Sequence, residues 1–141
     1  MSAGSKLYTT RMLSLSAELA NYPYSEDFEL TADARSSVCG STISVGLDLN
    51  GSGTVRKTGL RVAACAVGQS SAAILARNAG GAKAEDISRT TDGLREWLSY
   101  KGPLPDWPDL EVLSGVREHK GRHGALLLPW DAAAKALGSA E

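Results

Sequence analysis

The fold is decided by residues 42–63, TISVGLDLNGSGTVRKTGLRVA. In the first part of this stretch, apolar residues alternate with polar or small ones without a break. This alternation predicts a β-strand over 42–49 with one buried face. The Asn-Gly-Ser-Gly run at 50–53 contains residues that tolerate a positive φ, so it predicts the turn of a β-hairpin.

The second strand of the hairpin is expected over residues 54–64, where the β-like pattern resumes. Val55 lies on the opposite parity to Leu60 and Val62, so the strand must take up one extra residue to bury all three. A β-bulge supplies such a residue, and we expect it at Gly59.

The rest of the chain reads as a third strand and a series of helices around this hairpin. Pro129 falls in the last helix and is expected in its first turn, where its missing N–H costs nothing. The order of elements predicts an α+β fold with a three-stranded antiparallel sheet and helices packed on one face, in a single domain spanning 1–141. The expected elements are helix 7–20, strand 28–35, and helices 66–78, 87–98, 109–116 and 125–137.

Composition excludes several classes of protein. The 141 residues carry 15 Lys and Arg against 16 Asp and Glu, so no broad positive field is available and nucleic acid is not an expected partner. No apolar run approaches the roughly 18 residues that a membrane span needs. We expect a cytoplasmic protein, where two cysteines more readily serve thiolate chemistry or metal binding than a disulfide.

The two cysteines, Cys39 and Cys65, are expected to meet at the open end of the hairpin. Residue numbers of cross-strand partners have a constant sum, and a turn centred near 51 and 52 sets that sum at about 103 to 104. The two cysteine numbers add to 104. Cys65 also directly precedes a predicted helix, whose first N–H groups favour a thiolate. The alternatives are that the cysteines only fill space, or that they form a cross-strand disulfide.

Three stretches together resemble a known family. They are VCG at 38–40, ACAVGQSSA at 64–72 and RHGALLLPW at 122–130. They are similar in order and spacing to the three cysteine boxes of the iron–sulfur cluster assembly scaffolds related to IscU, SufU and the N-terminal domain of NifU. The resemblance covers nearly the whole chain. It implies the same α+β architecture and a scaffold that is not an enzyme.

In that family, three cysteines and one aspartate surround the metal or nascent cluster. The resemblance matches Cys39 and Cys65 to the first two cysteines, whereas Ser41 stands at the position of the aspartate. The third cysteine corresponds to Ala125 by its spacing from the closing tryptophan, or to Gly124 by comparison with members that have a His-Cys pair. This chain has no cysteine at either position.

His123 is the candidate that would complete a Cys, Cys, His set, since imidazole binds both iron and zinc; the alternative is a solvated side chain. The resemblance makes Cys65 the thiol that accepts sulfur from a cysteine desulfurase, with Cys39 sharing the metal. It implies a transient iron–sulfur cluster, foremost [2Fe-2S], or a zinc or iron ion, and client apo-proteins as further partners. A homodimer sharing one cluster through four cysteines is also allowed.

Two other functions compete with the scaffold. One is an interaction module of the same fold that has lost the cluster and binds or regulates assembly partners. The other is a thiol enzyme with Cys65 as nucleophile and His123 as base. The basic stretch at 117–122 either docks an acidic partner or is a solvated loop.

Overall fold

The computed structural model describes residues 8–37 and 40–138. In these ranges the chain forms three strands, several α-helices and short 3₁₀ helices. They are α1 (Thr10–Ala17), a 3₁₀ turn (Glu18–Asn21), β1 (Leu30–Arg35), β2 (Thr42–Leu49), β3 (Val55–Ala63), α2 (Ala66–Ala79), α3 (Ala84–Leu98), two 3₁₀ segments (Leu110–Glu118 and Lys120–Arg122), and α4 (His123–Gly138).

The sheet is antiparallel with the order β1-β2-β3, as predicted. The inner face of its central strand carries Ile43, Val45 and Leu47, all almost fully buried. Helices α2 and α4 pack on the sheet, α1 packs on α2, and α3 packs on α4. The prediction of an α+β fold with helices on one face is therefore confirmed.

The hairpin contains the predicted bulge, but its expected place at Gly59 is wrong. Val55 pairs with Leu49 whereas Lys57 pairs with Asp48, so Arg56 is the extra residue. The physical reason lies outside the hairpin. The N–H of Val55 donates to the carbonyl of Ala82 over 2.8 Å and its carbonyl accepts from the N–H of Gly81 over 2.9 Å, so the start of β3 follows the loop after α2.

Gly59 serves a different purpose, because it pairs with Gly46 beneath an aromatic ring. The ring of Phe28 lies on the outer face of the sheet, and a Cβ atom at either glycine would come within 2.5 Å of it. Only glycine at both positions lets the ring approach the strands this closely. Phe28 is thereby 9% exposed on an otherwise polar face.

Helix α4 begins at His123, two residues before the predicted start. Pro129 is therefore the seventh residue of the helix, and the expectation that it lies in the first turn is wrong. Its ring removes the N–H that would donate to the carbonyl of Ala125. The helix continues through this position because Pro129 and its neighbour Trp130 are both buried in the core, and this packing holds the helix together.

The end of α3 has an unusual residue at its terminating position. The N–H of Lys101 donates to the carbonyl of Glu96 over 2.8 Å, and the N–H of Tyr100 donates to that of Trp97 over 3.1 Å. This is the Schellman pattern, in which the residue between helix and exit is left-handed and usually glycine. Here Tyr100 occupies it with φ 60°, at a cost of about 1 kcal/mol for a residue with a Cβ atom.

The contact between Phe28 and the two glycines is testable by a double-mutant cycle. We expect Gly46→Ala to lower the free energy of unfolding by about 2 kcal/mol, because the new methyl group must displace the ring. In a Phe28→Ala background the same substitution should cost much less, since the ring is gone. Urea unfolding measures all four proteins.

Gly51→Ala is the matched control, because a Cβ atom there meets nothing within 4 Å. It should leave the free energy of unfolding within about 0.5 kcal/mol of the original. An equal loss from Gly46→Ala in both backgrounds would contradict the proposed contact.

Candidate functional site

Three segments meet where the sequence places the candidate site. They are the first turn of α2, the first turn of α4, and the connection between β1 and β2. A Cβ atom at Gly68 of α2 would lie 3.4 Å from the carbonyl oxygen of Ala125 in α4, and one at Gly124 would lie 3.0 Å from the Oγ of Ser36 after β1. Gly68 thus lets α2 approach the backbone of α4, and Gly124 leaves room for the side chain of Ser36.

Cys65 lies at the N-terminus of α2 as its N-cap residue, with extended backbone angles of φ −68° and ψ 173°. Its carbonyl accepts the N–H of Gln69 over 3.0 Å, and the Gln69 side chain donates to the carbonyl of Ala64 over 2.9 Å. Within the described residues, the thiol forms no capping hydrogen bond and no disulfide, and Cys65 is partly exposed. It is therefore a reachable thiol at the positive end of a 14-residue helix.

The connection between β1 and β2 is closed by backbone hydrogen bonds. The N–H of Ser36 donates to the carbonyl of Ser41 over 2.8 Å, and the N–H of Gly40 donates to the carbonyl of Ser36 over 3.0 Å. Gly40 has φ 72°, a left-handed conformation that favours glycine. Cys39 lies outside the described residues, so its approach to Cys65 stays a prediction.

A buried hydroxyl fixes α4 against α2. The Oγ of Ser71 donates to the carbonyl of Leu126 over 2.7 Å and accepts the indole N–H of Trp130 over 3.0 Å. All three residues are fully buried. The indole of Trp130 also meets the ring of Trp107 edge-on, with 5.1 Å between centroids. Sequence reasoning missed this link, although a serine inside an apolar helical run was a signal that it had a partner.

The structure is similar to that of a nitrogen-fixing NifU-like protein (N-terminal) from Brucella abortus. The TM-score is 0.88 and the sequences are 30% identical over 96% of both chains. The chain belongs to the IscU/SufU/NifU family.

Two other solved structures share the fold of this chain at lower sequence identity. One is a candidate iron–sulfur cluster assembly scaffold for the SUF system from Fervidobacterium islandicum AW-1, with TM-score 0.81, 14% identity, and coverage of 93% of this chain and 96% of that one. The other is a hypothetical protein with TM-score 0.74, 17% identity, and coverage of 91% and 97%. No sequence-family model matches, and neither does any curated protein.

Within residues 8–37 and 40–138, no helix is long and apolar enough to cross a membrane.

This family member departs from the ligand pattern at two positions. Ser41 is buried at the position matched to the aspartate. Of the two candidates for the third cysteine position, Ala125 is fully buried against α2, whereas Gly124 is exposed beside Ser36. Among the described residues, no three His, Cys, Asp or Glu side chains come together as a metal-binding group. A four-ligand metal site therefore does not fit the described part of a single chain.

His123 is the first residue of α4, and its ring is oriented by a backbone carbonyl. The Nε2 atom lies 2.8 Å from the carbonyl oxygen of Arg117. Because a carbonyl only accepts, Nε2 carries the hydrogen, and in the neutral ring the lone pair is on Nδ1. Any metal bound by His123 would use Nδ1, and its role as a ligand stays a prediction.

The link through Ser71 is testable with its own neighbour as control. We expect Ser71→Ala to lower the free energy of unfolding by about 1–3 kcal/mol, because the buried indole N–H of Trp130 loses its acceptor. Ser70→Ala is the matched control: Ser70 is equally buried but its Oγ bonds only to carbonyls of its own helix. Thermal and urea unfolding compare the two, and an equal effect would argue against the link.

Proposed function

We propose that this protein is a carrier in iron–sulfur cluster assembly that accepts sulfur on Cys65 and holds a metal ion or nascent cluster through Cys65 and Cys39. The observation that carries the proposal is the free, partly exposed thiol at the N-terminus of α2, a helix whose first turn approaches the start of α4. Kinship with a NifU-like protein supports it. The role is that of a scaffold rather than a catalyst.

Sulfur acceptance needs only a thiolate and a persulfide donor, for which a cysteine desulfurase is the proposed source. The Cys65 thiolate attacks the outer sulfur of the donor persulfide and a new S–S bond forms on Cys65. The S–S bond of the donor breaks, and the donor cysteine leaves as a thiolate. Cys65 stands at the N-terminus of α2 and is partly exposed, so a donor persulfide can reach its thiol.

Retention of metal or cluster is expected to be weak in a single chain. The sequence supplies two thiols, and His123 adds at most one imidazole nitrogen. Such a set leaves open positions, which suits cargo that is passed on to client apo-proteins. Two chains together supply four thiolates, which is the number of ligands that a [2Fe-2S] cluster held between two copies requires.

Substitution of Cys65 tests the proposal directly. Protein is incubated without oxygen with cysteine desulfurase and cysteine, and bound sulfur is read by intact mass. Iron and sulfide content is then measured after chemical reconstitution. We expect Cys65→Ser to accept no sulfur, because serine does not form a persulfide. Its iron and sulfide content should fall at least tenfold, because serine does not replace a soft thiolate ligand.

Cys39→Ser is the matched control and separates the two steps. It should still accept sulfur on Cys65 but lose iron and sulfide to the same extent as Cys65→Ser. Circular dichroism must show that both variants remain folded. Full sulfur acceptance or full iron retention in Cys65→Ser would contradict the proposal.

A second candidate is an interaction module that binds assembly partners without carrying cargo. The full burial of Ala125 favours it, because a side chain there has no access to a ligand. It predicts that the double variant Cys39→Ser, Cys65→Ser binds a cysteine desulfurase with unchanged affinity while the original protein accepts neither sulfur nor iron. Calorimetric titration measures the affinity of both proteins for the desulfurase, and intact mass measures sulfur acceptance by the original protein. Sulfur acceptance by the original protein would favour the carrier over the interaction module.

A further inference from the structure

We propose that Tyr100 and Arg117, together with the exposed Lys101 and Lys120 close to them in the chain, form a docking surface for an acidic segment of a partner protein. We refer to these four residues as the Tyr100–Arg117 surface. The proposal rests on the proposed function only for the identity of the partner, namely a protein that exchanges sulfur or cluster with this chain.

Arg117 is held in a fixed position with its charge uncompensated. Its guanidinium carbon lies 4.0 Å from the ring centroid of Tyr100 and 5.5 Å from that of Trp97. Its Nε donates to the carbonyl of Trp97 over 2.7 Å. Across the described ranges, the ion pairs all involve other cations. A stacked, preoriented guanidinium is suited to bind a carboxylate through its remaining N–H groups.

The surroundings of Arg117 are positively charged. Residues 100–101 and 117–120 carry three basic side chains, those of Lys101, Arg117 and Lys120, against one acidic side chain, Glu118. A second acidic residue, Glu96, lies on α3 one helical turn before Tyr100 in the chain. Lys101 and Lys120 are both exposed, so their charges face solvent. The complementary partner is therefore acidic, and association with it is expected to weaken as salt rises.

Tyr100 occupies a backbone position that disfavours a residue with a side chain. The end of α3 requires a left-handed residue, which glycine adopts without strain, yet a tyrosine stands there with φ 60°. Burial does not offset the strain, because Tyr100 is 59% exposed. Its side chain instead supplies the face on which Arg117 stacks. Exposed aromatic rings beside arginine are typical of protein–protein contact residues, and backbone strain concentrates at binding sites.

The surface is connected to the candidate site through one hydrogen bond. The Arg117 carbonyl accepts from His123, the first residue of α4. A partner seated on Tyr100 and Arg117 would thus lie near the start of α4, which Gly68 in the first turn of α2 also approaches. This geometry suits a protein whose own sulfur must reach Cys65.

The test measures binding of a fluorescein-labelled deca-glutamate peptide to the full chain by fluorescence anisotropy. We expect the Kd to rise at least fivefold between about 20 mM and about 200 mM salt, because screening weakens the attraction. At low salt, Tyr100→Gly should raise the Kd about fivefold, because it removes the aromatic partner of Arg117. Its Tm should stay unchanged or increase, since glycine relieves the left-handed strain. Loss of binding without loss of stability separates recognition from folding.

A second pair of variants controls for charge and ring. Arg117→Lys keeps the charge but loses the planar stack, and it should also weaken binding. Arg61→Lys is the matched control, because Arg61 forms the same kind of stack on Tyr24, 4.8 Å from the ring centroid, on the outer face of the sheet. It should bind as the original does. Tyr100→Phe keeps the ring and should bind as the original does as well.

Two outcomes would overturn the proposal. One is unchanged peptide binding by Tyr100→Gly, and the other is equal weakening by Arg61→Lys and Arg117→Lys. Peptide binding involves no thiol, so the test is independent of Cys65. Intact sulfur acceptance with no effect of Tyr100→Gly would reject this surface alone. Loss of binding in Tyr100→Gly, with no sulfur accepted by the original protein, would reject the carrier function alone.

Discussion

The contact between α2 and α4 sets the start of the helix that follows Cys65 against the helix that begins at His123. It combines a close backbone approach at Gly68 and Ala125 with the buried hydroxyl of Ser71, which joins the carbonyl of Leu126 to the indole of Trp130. The first part requires small side chains and the second requires directed hydrogen bonds. Together they fix the relative position of two helix N-termini, one of which carries Cys65. The sheet provides the platform on which both helices rest.

Sequence reasoning succeeded where structure depends on local periodicity. Strict alternation identified β2, and the change from strand-like to alanine-rich sequence identified the junction at Cys65. It failed where distant groups decide the backbone. The bulge lies at Arg56 rather than Gly59 because Val55 bonds to the loop after α2, 26 residues or more along the chain. Pro129 lies inside α4 because packing of its flanks outweighs the lost hydrogen bond.

The candidate site was also predictable only in part, because sequence patterns locate segments but do not reveal contacts between distant groups. Motif spacing located all three segments that converge, and the absence of a cysteine at 124 and 125 is visible in the sequence itself. Spacing did not reveal that one of these positions is exposed and the other fully buried. Nor did it reveal the orientation of His123, because its hydrogen-bond partner is a backbone carbonyl. The left-handed Tyr100 was equally hidden, since nothing in its neighbours requires that conformation.

The pair of backbone hydrogen bonds between Val55 and residues 81–82 has a mechanical consequence. Helix α2 is continuous with β3 at its N-terminus, and these bonds tie the loop beyond its C-terminus to the beginning of the same strand. The strand and the helix are therefore joined at both ends. Helix α2 itself is about 20 Å long, from the rise of 1.5 Å per residue. Helix α2 therefore cannot pivot about its junction with β3 unless the two hydrogen bonds of Val55 break.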